Sequence, residues 1–361
     1  MAKWYNNQMR KVIFACIVLV VIFGLFIYTK YNSKEGITRP VSLSGVSSSR
    51  EEKQVGKEEY VFIPYWTLDS DISSSPTPNL IYFGIEANAS GINHDETGYK
   101  KIDEFVVNSG NKTTYLTIRM LNSDANLKIL KDKTLQDKII NESILIAKEN
   151  GFSGIVLDFE IKGLPFESFV KSITDLNKAF YEKVHADNLM YATLLYGDAF
   201  YRVRPFDAEN IAKYSDRLFI MAYDFSKANG NPGPNFPFDE KEFGYSFKTM
   251  IEDYLQVVPK EKLTIFFGMF GYDWKIDEEK RGKEAASSKT TLQLERFMTG
   301  CVSGNTCTTT SSEGSGTSIT YSDDIDSHVI WFEDYSSVER KIQYLNSKGI
   351  YSVGYWAYGY Y

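Results

Sequence analysis

Ser153-Gly154-Ile155-Val156-Leu157-Asp158-Phe159-Glu160 is apolar except for two carboxylates at its far end. Ile155, Val156, Leu157 and Phe159 favour a strand, and near-continuous apolar character predicts a parallel strand buried on both faces. Side chains alternate along a strand, so Val156, Asp158 and Glu160 share one face. Two carboxylates at the carboxyl end of a buried strand are costly unless something there uses them. That end is also where barrel and open-sheet enzymes place their chemistry. On its own an Asp-x-Glu fits a solvated or Arg-paired strand end equally well, so its company decides.

Outward from this stretch, apolar strand-like runs recur at 60–66, 80–86, 113–119, 189–196, 217–224, 263–270 and 351–357. With 153–160 they make eight. Amphipathic helical patterns lie between most of them, at 133–150, 165–187, 242–258 and 335–348. In 165–187, Phe169, Val170, Ile173, Leu176, Phe180 and Val184 fall on one face. Eight strands with intervening helices predict an α/β fold, a (β/α)8 TIM barrel over 60–361. The first connection is short and holds Pro76 and Pro78, so its helix should be missing, and nothing remains after the last strand to form one. Residues 275–328, between strands seven and eight, are rich in Ser, Thr and Gly and predict a small insertion or flap. Cys301 and Cys307 lie within it and are placed to close a small loop in an oxidising compartment.

The amino terminus reads differently. Residues 12–29 are almost continuously apolar and follow Lys3, Arg10 and Lys11. This predicts a transmembrane anchor behind a cytoplasmic tail of residues 1–11, with a cleaved signal and a secreted form as the alternative. Residues 30–59 read as a flexible stalk. The expected localisation is single-pass at the cell membrane, with the carboxyl-terminal domain outside the cytoplasm. Residues 1–40 carry six Lys/Arg and one Glu, so the remainder of this chain of formal charge −7 holds about −12. Such a domain is a poor partner for nucleic acid. His94, His185 and His328 form no ligand spacing, so no metal and no cofactor is expected.

With a barrel in place, the sequence resembles glycoside hydrolase family 18, the chitinase-like group, and in particular its bacterial cell-wall members of spore-cortex-lytic type. The resemblance covers about 60–361. It rests on the fourth-strand stretch, where the family pattern is Asp-Gly-x-Asp-x-Asp-x-Glu, on Met221-Ala222-Tyr223-Asp224, on Gly354-Tyr355-Trp356 and on Trp331-Phe332-Glu333-Asp334. It implies a monomeric glycosidase cutting β-1,4-linked N-acetylhexosamine polymers, peptidoglycan or chitin-like, with retention by substrate-assisted catalysis. Glu160 would be the general acid, Asp158 would hold the substrate's 2-acetamido group, and Tyr223 would donate to that group's oxygen. Trp356 would pack under the sugar, with Asp224 and Met221 beside it. Tyr65, Glu86, Arg119 and Tyr196 sit at other strand ends and could line the cleft, although each also fits a structural role.

Ser153 and Val156 depart from the family's acids. Without a carboxylate at 156, Asp158 should ionise more readily. A catalytically silent carbohydrate-binding barrel of the same fold is therefore the alternative, and a structural surface protein is a third.

Overall fold

The computed structural model describes residues 57–68, 72–239, 243–312 and 314–361. Eight strands form a closed parallel barrel, as in a TIM barrel. They are β1 (Glu58–Pro64), β2 (Asn79–Asn88), β3 (Thr113–Met120), β4 (Gly154–Phe159), β5 (Met190–Tyr196), β6 (Arg217–Ala222), β7 (Leu263–Gly268) and β8 (Ser352–Trp356). Each pairs with its neighbour in sequence, and β1 pairs with both β2 and β8 to close the ring.

Period-two alternation divides the strands between two cores. Tyr60, Phe62, Ile81, Phe83, Tyr115, Val156, Ala192, Leu194, Phe219, Met221 and Phe266 fill the barrel interior. Their neighbours, such as Val61, Ile63, Leu80, Tyr82, Ile155 and Leu157, face the surrounding helices. Helix Lys133–Glu149 is capped by the Asp132 carboxylate, which accepts the Leu135 amide, and it buries Ile139, Ile140, Ile144 and Ala147. Helix Glu167–Ala186 buries Ile173, Leu176, Phe180 and Val184. Only two single 3₁₀ turns, Tyr65–Thr67 and Ile72–Ser74, lie between β1 and β2 among the described residues, and no helix follows β8.

β1 begins at Glu58, within the stretch read as stalk. Its first residues are polar, so apolar character could not mark them. Pairing does: the Glu58 amide bonds to the Tyr351 carbonyl and its carboxylate pairs with Arg217 at 2.6 Å.

Between β7 and β8 lies a second, antiparallel sheet. Its strands, in spatial order, are Ser287–Thr290, Phe270–Ile276, Ser327–Phe332, Gly316–Ser322 and Cys307–Ser312. Helix Thr291–Ser303 packs Leu294 and Cys301 against Ile319, Ile330 and Phe332. A disulfide joins Cys301 to Cys307.

The single-pass membrane localisation expected from the sequence is corrected here. Among the described residues no helix is long and apolar enough to cross a membrane. The tail 1–11, the anchor 12–29 and residues 30–56 of the stalk lie outside the described residues.

Candidate active site

The carboxyl ends of the barrel strands open into a cleft of about 250 Å³. Asp158, Glu160, Met221, Tyr223, Asp224 and Trp356 line it, with Phe83, Leu121, Leu194 and Phe270. A smaller lobe of about 110 Å³ adjoins it, lined by Tyr196, Gly197, Asp198, Arg204 and Lys227. Glu160, Met221, Tyr223 and Asp224 border both spaces. Six residues chosen from the sequence thus meet in one cleft, and Tyr196 lines the lobe beside it.

Glu160 follows the last residue of β4, and its backbone is held by two contacts. Its amide bonds to the Met120 carbonyl at 2.9 Å. Buried Asn126 donates to the Met120 carbonyl at 2.6 Å and to the Glu160 carbonyl at 2.7 Å, tying the ends of β3 and β4 together. The side chain accepts from the Tyr196 hydroxyl at 3.1 Å. Burial raises the Glu160 pKa above the usual carboxylate range, against the Tyr196 bond and the nearby Arg204 and Lys227 cations, which lower it.

Asp158 is more deeply placed, at 4% exposure, and its Oδ1 has no hydrogen-bond partner among the described residues. Beneath it Val156 is fully buried in the interior apolar layer. The expectation of easier ionisation accounted for the missing carboxylate but not for what replaced it. Burial, and secondly Glu160, push the Asp158 carboxyl well above its ordinary range, with Arg119 opposing. A buried acceptor left unpaired is expensive and rare in native structures.

The Tyr223 hydroxyl finds no hydrogen-bond partner among the described residues and is available to the cleft. Asp224 takes a left-handed backbone conformation, φ 58°. The Asn235 side chain accepts its amide at 2.8 Å and donates to the Gly268 carbonyl at 2.8 Å. Gly268 permits this approach, since a Cβ there would lie 2.6 Å from Tyr223 Cβ and 2.9 Å from Asn235 Nδ2. Tyr272, from the antiparallel sheet, donates to Asp224 Oδ1 at 2.7 Å. Burial raises the Asp224 pKa, and the Tyr272 bond opposes it.

Trp356 packs against Phe83, ring centres 4.6 Å apart, and against Phe62 at 5.3 Å, while half-exposed Trp66 stands 6.4 Å away. Three other sequence candidates line neither space. Arg119 is buried, paired with Glu96, and its guanidinium lies 5.1 Å from the Phe83 ring and 5.5 Å from that of Tyr65. Glu86 accepts from Asn93 at 2.7 Å, in the hairpin that follows β2. Among the described residues no group of three or more His, Cys, Asp or Glu is placed to hold a metal ion.

Phe83, Leu121, Asp198, Arg204, Lys227, Asn235 and Tyr272 were not singled out from the sequence. Most lie in loops, where no periodicity marks a direction. Phe83 and Tyr272 lie in strands: Phe83's position in the 80–86 run would have placed it inward, whereas Tyr272 falls outside the runs read as strands.

Comparison with known proteins agrees with this architecture. YdhD of Bacillus subtilis (strain 168), a candidate sporulation-specific glycosylase, is 26% identical over 67% of this chain and 56% of its own length. The cortical fragment-lytic enzyme of Bacillus anthracis is 23% identical over 78% of this chain and 64% of its own. The chain therefore spans less than two thirds of these curated relatives. The class V chitinase from Nicotiana tobaccum superposes with a TM-score of 0.72 at 18% identity, covering 84% of this chain and 94% of that one. The profile of the glycosyl hydrolases family 18 matches residues 30–360, and the chain belongs to that family.

Proposed function

We propose that this chain is a retaining glycosidase of β-1,4-linked N-acetylhexosamine polymers, with peptidoglycan as its substrate. The observation that carries the proposal is the pairing of Asp158 and Glu160 on one strand face lining the cleft, where Asp158 keeps a buried, unpartnered Oδ1.

Glu160, whose proton affinity burial raises, would give its proton to the departing glycosidic oxygen. Asp158 Oδ1 would accept the N–H of the 2-acetamido group, and the Tyr223 hydroxyl would donate to its carbonyl oxygen. That oxygen, so oriented, would attack the anomeric carbon from the face opposite the leaving group. Water would then open the cyclic intermediate with overall retention, Glu160 now acting as base. Trp356 offers a flat apolar surface for the C–H face of the reacting sugar.

The relatives support the choice of polymer. Two of them carry cortical or sporulation roles in their names, whereas the class V chitinase fold-relative has been crystallised with NAG4.

The test is hydrolysis of purified peptidoglycan glycan strands beside a Glu160→Gln variant, with the anomeric configuration of the new end read by NMR. Cleavage with retention that falls by about 10²–10⁴-fold in the variant is expected. Equal cleavage by both proteins, or inversion, would remove the proposal. Binding without cleavage would make the chain a silent sugar-binding barrel, in which Val156 marks the loss.

A further inference from the structure

The lobe beside Glu160 brings two cations, Arg204 and Lys227, to the edge of the cleft. Arg204 binds the buried Asp198 carboxylate in a fork, Nε to Oδ1 at 3.0 Å and Nη2 to Oδ2 at 2.9 Å. This leaves its Nη1 without an acceptor among the described residues. Arg202 pairs with the same carboxylate and also donates to the Phe225 carbonyl at 2.7 Å. Lys227, exposed at the rim, forms no ion pair with any described residue. Two cations, Arg204 and Lys227, thus line the lobe with Glu160, Asp198 and Asp224, and Arg202 shares Asp198 from outside it. Asp224, at the lobe's other side, is biased toward its neutral form by burial. The chain as a whole is acidic, formally −7.

These cations do not serve the acid. Arg204 and Lys227 draw Glu160's pKa down, opposite to what proton donation near neutral pH requires. Nor does a neutral sugar call for them, since hydroxyls need no charge-assisted partner. A carboxylate does: the guanidinium fork and the mobile ammonium are its ordinary recognition elements.

The spacing adds the position. Trp356 and Asp158 lie in the larger cleft, Arg204 and Lys227 in the lobe, and Glu160 borders both. A sugar stacked on Trp356 thus has its neighbour across Glu160 in the cationic lobe.

On the footing that the chain is a glycosidase of N-acetylhexosamine polymers, we infer that Arg204 and Lys227 bind a carboxylate on the sugar adjoining the one over Trp356. The substrate class is then anionic glycan, such as the lactyl-substituted hexosamine of peptidoglycan or a peptide carried on it, rather than neutral chitin. Lys227 is a specificity-determining residue.

The experiment measures kcat/KM of the full chain and of Lys227→Met and Lys227→Arg variants on three tetrasaccharides. One alternates N-acetylglucosamine with lactyl-bearing sugars, the second is its carboxyl methyl ester, and the third is chitotetraose. Peptide-bearing strands form a fourth arm. The wild type should prefer the free carboxylate over its ester by about tenfold, the worth of one charge-assisted contact. Lys227→Met should erase most of that ratio through KM, and Lys227→Arg should restore it. A preference seen only on peptide-bearing strands would place the carboxylate on the peptide and equally support the cationic lobe. No preference in the wild type, or an unchanged ratio in Lys227→Met, would overturn the inference, while cleavage abolished by Glu160→Gln would leave the glycosidase proposal standing. Absence of Glu160-dependent cleavage on every substrate would overturn both.

Discussion

The hydroxyl of Tyr196 donates to Oε2 of Glu160 across 3.1 Å, from the end of one strand to the end of its neighbour. The bond favours the ionised carboxylate, whereas burial favours the protonated one. The acid's strength is set by this opposition.

Removing the bond should release the acid upward. Tyr196→Phe keeps the ring beneath the Arg204 guanidinium, 3.9 Å away, but takes the hydroxyl. A hydrogen bond to a charged group contributes about 1.5 kcal/mol, roughly one pKa unit. Because Glu160 must be protonated to act, the basic limb of the kcat–pH profile should move up by about one unit. An unmoved or lowered limb would refute this.

Asp158 is predicted to trade stability for activity. Its folded pKa lies above its unfolded value, so its ionisation opposes folding. That cost is absent below about pH 4 and grows as pH rises from there toward the folded pKa. Asp158→Asn should therefore raise Tm at pH 8 but not at pH 4. Glycan cleavage should fall by roughly 100-fold or more as the acetamido group loses its orientation. Melting curves at the two pH values, beside a turnover assay, check both parts.

Restoring the family's acid at position 156 should destabilise this chain. Val156 is fully buried among apolar side chains, and Val156→Asp would place a carboxyl with no prepared donors. The expected loss at neutral pH is about 1–3 kcal/mol. It should shrink toward pH 4, because a buried carboxyl whose pKa is raised costs least when protonated. Chemical denaturation at pH 4 and pH 7 measures the difference.

The buried pair Lys341 and Glu333 should behave asymmetrically. Both side chains are wholly buried, 2.6 Å apart, and Lys341 also donates to the Phe236 carbonyl at 2.8 Å. Burial works against both charges, raising the Glu333 pKa and lowering that of Lys341. Lys341→Met alone should cost about 3–5 kcal/mol by stranding the carboxylate, and adding Glu333→Leu should recover much of it. A double variant as unstable as the single one would count against this, read by denaturant midpoints.

The apolar runs were legible because barrel strands are buried on both faces, so composition alone marks them. Pro76 and Pro78 likewise announced the missing first helix. The antiparallel sheet was not legible as strands. Cys307–Ser312 reads Cys-Thr-Thr-Thr-Ser-Ser and is largely exposed, so no apolar alternation betrays it. It appeared only as a Ser/Thr-rich interval.

The sequence by itself determined that Asp158 and Glu160 share a face, because alternation along a strand is a local geometric law. It also determined that Tyr223 and Trp356 stand at the carboxyl ends of the sixth and eighth barrel strands. Only the tertiary structure decided what surrounds them. Arg204 and Lys227 reach Glu160 from separate loops, Tyr272 reaches Asp224 from another sheet, and Glu86 turns to Asn93 instead of the cleft. Loop side chains carry no period to point them. Burial and charge, which set the proton affinities of Asp158 and Glu160, are properties of the assembled neighbourhood and exist only once the chain has closed around them.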